Sequence, residues 1–385
     1  MYAPRIVTGL AALILAIGAA FAVDGDDGFS PEVFTVERKI RPGPNLFVLD
    51  QGWSGASQLN VLDGINLDRK GNMSMGLNAQ FVLSADQKTA YTVSIYSRRI
   101  SYGPVEAVLQ VFDVETLTPA KEIILLDKTA QVASIKNHLA LSADEKFAYV
   151  QNATPATSIT VVDLEKGELT AEIPTPGCWG LYPSARERKI SVLCGDGSMA
   201  SYAIDDSGQP GAVARSEKIF DADTSPLFVH AERAGDDWLF SSFFGELFRI
   251  SDADAAPRLV DRFSYTAGIK GKWTPGGFAL MAYNPANDLL YITMHPNGRD
   301  GSHKDGAKEI WALSLGKKTV ISRSKARHIV SIAVTPGKNP VLYGLNDEDS
   351  SVTRFTSNAK SGFALKAAGK AEELGSFVVL AATGE

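Results

Sequence analysis

Apolar and polar residues alternate in short runs along most of this chain. In Tyr91-Thr92-Val93-Ser94-Ile95 the apolar side chains fall on one face and the hydroxyls on the other, the period of two of a half-buried strand. The stretch Leu83-Ser84-Ala85-Asp86-Gln87-Lys88-Thr89-Ala90-Tyr91-Thr92-Val93 returns 58 residues later as Leu141-Ser142-Ala143-Asp144-Glu145-Lys146-Phe147-Ala148-Tyr149-Val150. Each copy reads as a strand end, a polar turn and a second strand. No run of a dozen residues keeps apolar spacing of three and four, so no long helix competes.

The unit can be followed in degenerate form from residue 45 onward. Two strands lie in 45–67, clear copies start at 80 and 141, and further units span 179–204, 227–250, 278–320 and 329–365. Phe377-Val378-Val379-Leu380 is left over as a single strand. Blocks of roughly 45–55 residues, each strand–turn–strand–loop–strand–turn–strand, have the size of propeller blades. The expected fold is all-β: a seven-bladed β-propeller of four-stranded antiparallel blades, its C-terminal strand closing the ring. Closure removes the unpaired edge that an open stack would expose. Six or eight blades are the alternatives; a sandwich or a two-domain chain explains the repeat less well.

The ends and the charges change the picture next. Arg5, an uncharged stretch from Ile6 to Phe21, and Ala20-Phe21-Ala22 match a secretory signal over 1–22, cut after Ala22. The alternative is an uncleaved anchor, but the stretch is shorter than the roughly 20 apolar residues a spanning helix needs. A flexible acidic leader is expected over 23–40 and a single propeller domain over 41–385. Export with no membrane attachment after cleavage points to a bacterial periplasm. Net charge is -6 and the basic residues are scattered, which argues against nucleic acid as a partner. In an exported chain the two cysteines, Cys178 and Cys194, read as one disulfide, with two buried thiols as the alternative.

Candidate chemistry is sparse. His138, His230, His295, His303 and His328 form no metal-binding spacing, and exposed-loop or capping roles are expected for His295 and His303. Asp86, Asp113, Asp144 and Asp163 fall at turns, where local hydrogen bonding is their expected work. Trp238, Phe240, Phe243, Phe244 and Phe248 are expected to pack as a blade core. Gly276-Gly277 is expected as a tight turn into a strand. Two long excursions, 97–104 and 294–304, interrupt the regular pattern, and such insertions are where partners and ligands are met.

Several stretches together resemble a known family. They are Gln151-Asn152-Ala153-Thr154-Pro155-Ala156-Thr157-Ser158-Ile159, Gly177-Cys178-Trp179, Cys194-Gly195-Asp196-Gly197, Trp273-Thr274-Pro275-Gly276-Gly277 and Met294-His295-Pro296-Asn297-Gly298. Gly301-Ser302-His303-Lys304 with Glu309-Ile310-Trp311, and Tyr96 to Arg99 followed by Val111-Phe112-Asp113, complete the set. In this order they resemble the heavy subunit of the quinoprotein amine dehydrogenases, closer to the aromatic amine type than to the methylamine type. The resemblance implies a periplasmic tetramer of two heavy and two light subunits. It places the tryptophan tryptophylquinone cofactor and the catalytic aspartate in the light chain, with no cofactor, metal or catalytic residue in this chain. It further implies oxidation of a primary amine to aldehyde plus ammonia, with electrons leaving to a small copper protein, amicyanin- or azurin-like. Where the family has an aromatic residue at the mouth of the substrate channel, this chain has Leu77, followed by Asn78. Arg98, Arg99, His303 and Lys304 are the expected partner-facing loop residues. A self-sufficient lactonase-like propeller and a non-enzymatic binding propeller are the rival readings.

Overall fold

The computed structural model describes residues 37–99 and 102–384. The expected signal at 1–22 and most of the expected leader at 23–40 lie outside the described residues. Seven separate antiparallel sheets make the propeller. Blade 1 contains Asn45–Asp50, Ser57–Asp63 and Arg69–Met75, and its innermost strand is Val378–Gly384 from the far end of the chain. Blade 2 is Leu77–Leu83, Thr89–Ser97, Val105–Asp113 and Thr118–Ile124. Blade 3 is Leu139–Leu141, Phe147–Asn152, Ser158–Asp163 and Glu168–Pro174. Blade 4 is Cys178–Pro183, Lys189–Cys194, Met199–Ala203 and Ala214–Arg215. Blade 5 is Leu227–Ala234, Asp237–Ser242, Glu246–Ser251 and Arg258–Ser264. Blade 6 is Met281–Asn284, Leu289–His295, Ala307–Ser314 and Thr319–Ile329, with Thr274–Pro275 as a fifth, two-residue strand on the inner edge. Blade 7 is Ser331–Val334, Val341–Asn346, Ser351–Thr356 and Lys366–Ala371. Helical geometry among the described residues is confined to four single 3-10 turns.

Burial explains why the strands differ in composition. In blade 3 the two middle strands, Phe147–Asn152 and Ser158–Asp163, are buried at every position, because a neighbouring blade covers each face. The outer strand Glu168–Pro174 keeps only Ile173 fully buried. The core is therefore a set of wedges. Among the described residues there are seven apolar clusters, one in each space between adjacent blades. The wedge between blades 7 and 1 joins Tyr343, Leu345 and Val352 to Leu46, Val48 and Val378, so the ring closes through its core as well as through its strand pairing.

The Leu-Ser-Ala-Asp repeat is the code of a turn. Ser84 Oγ donates to Asp86 Oδ1 (2.7 Å), which also accepts from the Lys88 N–H, while Thr89 N–H donates to Ser84 Oγ. Ser142, Asp144 and Phe147 repeat the arrangement. Gln87 and Glu145 take the left-handed backbone region at the same place in each turn. Asp113 and Asp163 likewise accept from backbone N–H groups two or three residues on, so these carboxylates hold turns, as expected.

Antiparallel order sorts the connections between two faces of the ring. First-to-second and third-to-outer turns emerge on one face, which holds the Leu-Ser-Ala-Asp turns. Second-to-third loops and the links from one blade to the next emerge on the other. That second, loop-bearing face carries both long excursions.

Candidate functional site

Leu77, Asn78, Arg98, Arg99, Cys178, Cys194, His303 and Lys304 all lie at the loop-bearing ends of their blades. Leu77 is the first residue of its strand, half-buried, and pairs with Ile95. Its backbone is tied down on both sides. Gly76 N–H donates to Ser94 Oγ, and Ser57 N–H donates to Gly76 O. Asn78, buried and at φ +53°, donates its N–H to Gly52 O of blade 1, and the ladder bulges before Gln80. A Cβ at position 76 would stand 2.4 Å from Ile95 O, so only glycine allows this approach. Nearby, Arg98 and Arg99 project into solvent from the loop after Ser97, with the Arg99 guanidinium 5.3 Å from the Tyr102 ring centre.

The link from blade 2 to blade 3 crosses the middle of the ring. Gln51 of blade 1 donates to Val132 O and accepts from Ser134 N–H. Asn137 donates to Leu181 O of blade 4 and accepts from Ala231 N–H of blade 5. Lys136 ends beside Glu232, which also lies 3.3 Å from His230 Nε2. Burial alone would raise the Glu232 carboxyl, but the Lys136 charge and the His230 contact override it and hold it down at about 2. The adjacent His138 is wholly buried, and loss of water lowers its pKa to about 3. Its Nε2 accepts from Trp179 Nε1–H at 3.1 Å, as only a neutral ring with the proton on Nδ1 can do. This plug was not visible in the sequence, where Lys136, Asn137 and His138 are three polar residues in a link.

Two expectations need correction. Phe244 joins no blade core, and Phe243 packs against the wedge between blades 5 and 6 rather than with Trp238, Phe240 and Phe248 between blades 4 and 5. The two phenylalanines form the turn after Asp237–Ser242, with Phe243 half-buried and Phe244 62% exposed. A strand cannot turn two successive side chains to the same side, and the Phe-Phe-Gly order was the available signal for a turn. His295 is no exposed loop residue either. It ends a fully buried strand at 2% exposure, with Nε2 unpartnered among the described residues and Gly276 packed against its ring. His303, in the single turn Ser302–Lys304, is half-buried, its ring 5.2 Å from Phe243, and its carbonyl accepts from Gly277 N–H. Lys304 is exposed.

Phe243, Phe244, Ile269, Trp273, Lys272 and His303 line a cavity of about 480 Å³ between blades 5 and 6 on this face. Cys178 and Cys194, opposite one another at the same end of blade 4, are joined in a disulfide, which settles the alternative of free thiols. The described residues hold no cluster of three or more metal-ligating side chains.

Residues 44–384 match the family model of the methylamine dehydrogenase heavy chain. The chain belongs to that family. A methylamine dehydrogenase heavy chain from Methylobacillus flagellatus is 25% identical over 94% of this chain and 94% of its own. The one from Paracoccus versutus is 25% identical over 83% and 75%. Solved structures share the fold at lower identity. A putative 6-phosphogluconolactonase from Bacteroides uniformis, 14% identical, covers 88% of this chain and 99% of its own at a TM-score of 0.62. A protein of unknown function from Desulfotomaculum acetoxidans, 11% identical, gives 0.57 over 85% and 98%. The loop-bearing face of this chain brings together Leu77, the axial plug, the disulfide and the cavity.

Proposed function

We propose that this chain is the heavy subunit of a periplasmic amine dehydrogenase, holding a light subunit against its loop-bearing face and lining part of the path by which a primary amine enters. Family membership over nearly the whole propeller carries the reading. The light subunit's tryptophan tryptophylquinone, when present, supplies oxidation of the amine to aldehyde plus ammonia, and a small copper protein takes the electrons. Two of this chain's own tryptophans are engaged with each other. Trp273 and Trp311 meet at 5.4 Å with Arg323 over both rings, and Trp311 is sealed from solvent. What the chain contributes is position: Leu77 is fixed by hydrogen bonds from two blades, so its side chain can shape a passage reproducibly.

The lactonase-like reading would need polar groups converging on the axis. The axial set is Lys136, Glu232 and His230, and its charges are spent on one another beneath the plug. Fold likeness to a named lactonase at this identity shows the fold alone. The test is purification of the native complex. A small quinone-bearing partner and amine-dependent dye reduction are expected; a lone heavy chain inert to amines would overturn the reading.

A further inference from the structure

The cavity between blades 5 and 6 is built as a socket. Its inner wall is Phe243, stacked on Phe228 at 4.2 Å and 8° and flanked by His303. Phe244 stands at the rim, and its exposure is enforced rather than incidental. Thr274 Oγ1 donates to Phe243 O (2.9 Å), Thr266 Oγ1 donates to Phe244 O (3.2 Å), and Phe243 N–H donates to Pro226 O. Ser242 Oγ accepts from the N–H groups of Phe244 and Glu246. Gly245, at φ +76°, lets the turn close against Thr266, where a Cβ would stand 2.3 Å from the methyl group. The loops 265–280 and 296–308 are also laced together, Asn297 and Gly298 donating to Gly271 O and Lys272 O. A large apolar side chain held rigidly in water beside a preformed apolar cavity loses little further freedom on binding.

The charge around the socket runs against that of the whole chain. The two loops, 265–280 and 296–308, carry Lys270, Lys272, Arg299, Lys304 and Lys308 against Asp300 and Asp305 only, in a chain of net charge -6. Arg299 pairs with Asp305, while the ammonium groups of Lys270, Lys272 and Lys304 pair with no described residue. These free cations suit an acidic surface.

We propose that this socket is an anchor point for the light subunit, taking one large apolar side chain of that partner between Phe244 and Trp273 and meeting its carboxylates with Lys270, Lys272 and Lys304. The inference rests on the heavy-subunit reading. A second heavy chain fits poorly, because a two-fold contact centred here sets these cations against their own copies. A small molecule inside the cavity would leave the outer side of Phe244 in water. Anchors of this kind, an aromatic beside a pocket that water leaves on binding, carry a large share of interface energy.

The test uses the co-expressed complex. Phe244→Asp and Lys272→Glu are expected to weaken light-subunit retention roughly 30-fold and 10-fold, with the melting profile of the heavy chain unchanged because both side chains are exposed. A photo-crosslinking phenylalanine analogue in place of Phe244 is expected to join the two subunits. Wild-type complex that forms while Phe244→Asp retains the light subunit normally, or a crosslink only to a second heavy chain, overturns the socket and leaves the subunit reading intact. A wild-type chain that retains no small subunit overturns the reading itself.

Discussion

The two faces of the propeller are made by the same strands and are built on different rules. On the repeat-bearing face the turns are short, and basic side chains reach from one blade to the next. Lys121 donates to Leu164 O and Glu165 O of blade 3, Lys146 to Asp206 O of blade 4, and Lys189 to Asp252 O and Asp254 O of blade 5. Arg188 bonds Asp144 and Asp206 together. Among the described residues the loop-bearing face has no such regular latch. It is held by singular devices: the plug through the axis, the disulfide, and the bonded turn beneath Phe244. It also exposes Trp53, Tyr102 and Phe244. One face is specialised for closing a ring and the other for presenting a surface.

Acid should separate the two faces, and with the largest effect. His138 is neutral and buried, its folded pKa of about 3 far below the unfolded value near 6.5. The unfolded chain therefore binds more protons in between, so this contribution is complete above pH 6.5 and is lost as pH falls toward 3. The slope is about 1.4 kcal/mol per pH unit. Burial pushes His230 the same way. On the other face Asp86 and Asp163 are held below the ordinary 3.8, Asp86 chiefly by its Ser84 hydrogen bond and Asp163 chiefly by the Lys166 N–H, so their contribution is lost only beneath that pH. Urea unfolding at pH 7, 5.5 and 4 should show the decline and His138→Gln should flatten it. An unchanged slope in that variant would dissolve the contrast.

Next in size is the disulfide. Cys178→Ser with Cys194→Ser should cost about 2–4 kcal/mol, read as a lower denaturation midpoint, and reductant should act in the same direction on the wild type. Lys189→Met follows at about 2 kcal/mol, because the ammonium is almost fully buried and two carbonyls of blade 5 lose their donor. A loss below about 0.5 kcal/mol would mean that the latches are ornaments of packing and that the repeat-bearing face is not specialised as argued.

The difference between the faces also explains what could be read in advance. Alternation of apolar residues and the Ser-Asp turns are local signals, and they led to seven blades, closure by Val378–Gly384 and the turn carboxylates. The loop-bearing face depends on partners distant in sequence. Gln51 meets Ser134, and Asn137 meets Leu181 and Ala231, none of which a repeat announces. Aromatic density alone places both Phe243 and Phe244 in one blade core, whereas the glycine that follows them marks a turn that leaves Phe244 in water. The loop sequence Pro296 to Gly298 suggests a loop for His295 as well, although the strand keeps it buried.

Leu77→Phe should have the smallest effect on stability and the most specific one on function. The side chain is half-buried at a position whose backbone is already fixed, so added bulk extends outward, and stability should stay within about 0.5 kcal/mol. If Leu77 lines the amine's path in the complex, the larger ring narrows it. The ratio of kcat/KM for a bulky aromatic amine to that for methylamine should then fall roughly 10-fold, with the methylamine value little changed, since one group in an apolar passage discriminates by about 1–3 kcal/mol. Both values falling together would place the substitution at the subunit contact instead, and Leu77 would join Phe244 among the residues that hold the partner. An unaltered ratio with full activity would remove Leu77 from the path and leave the loop-bearing face with a structural role at that point only.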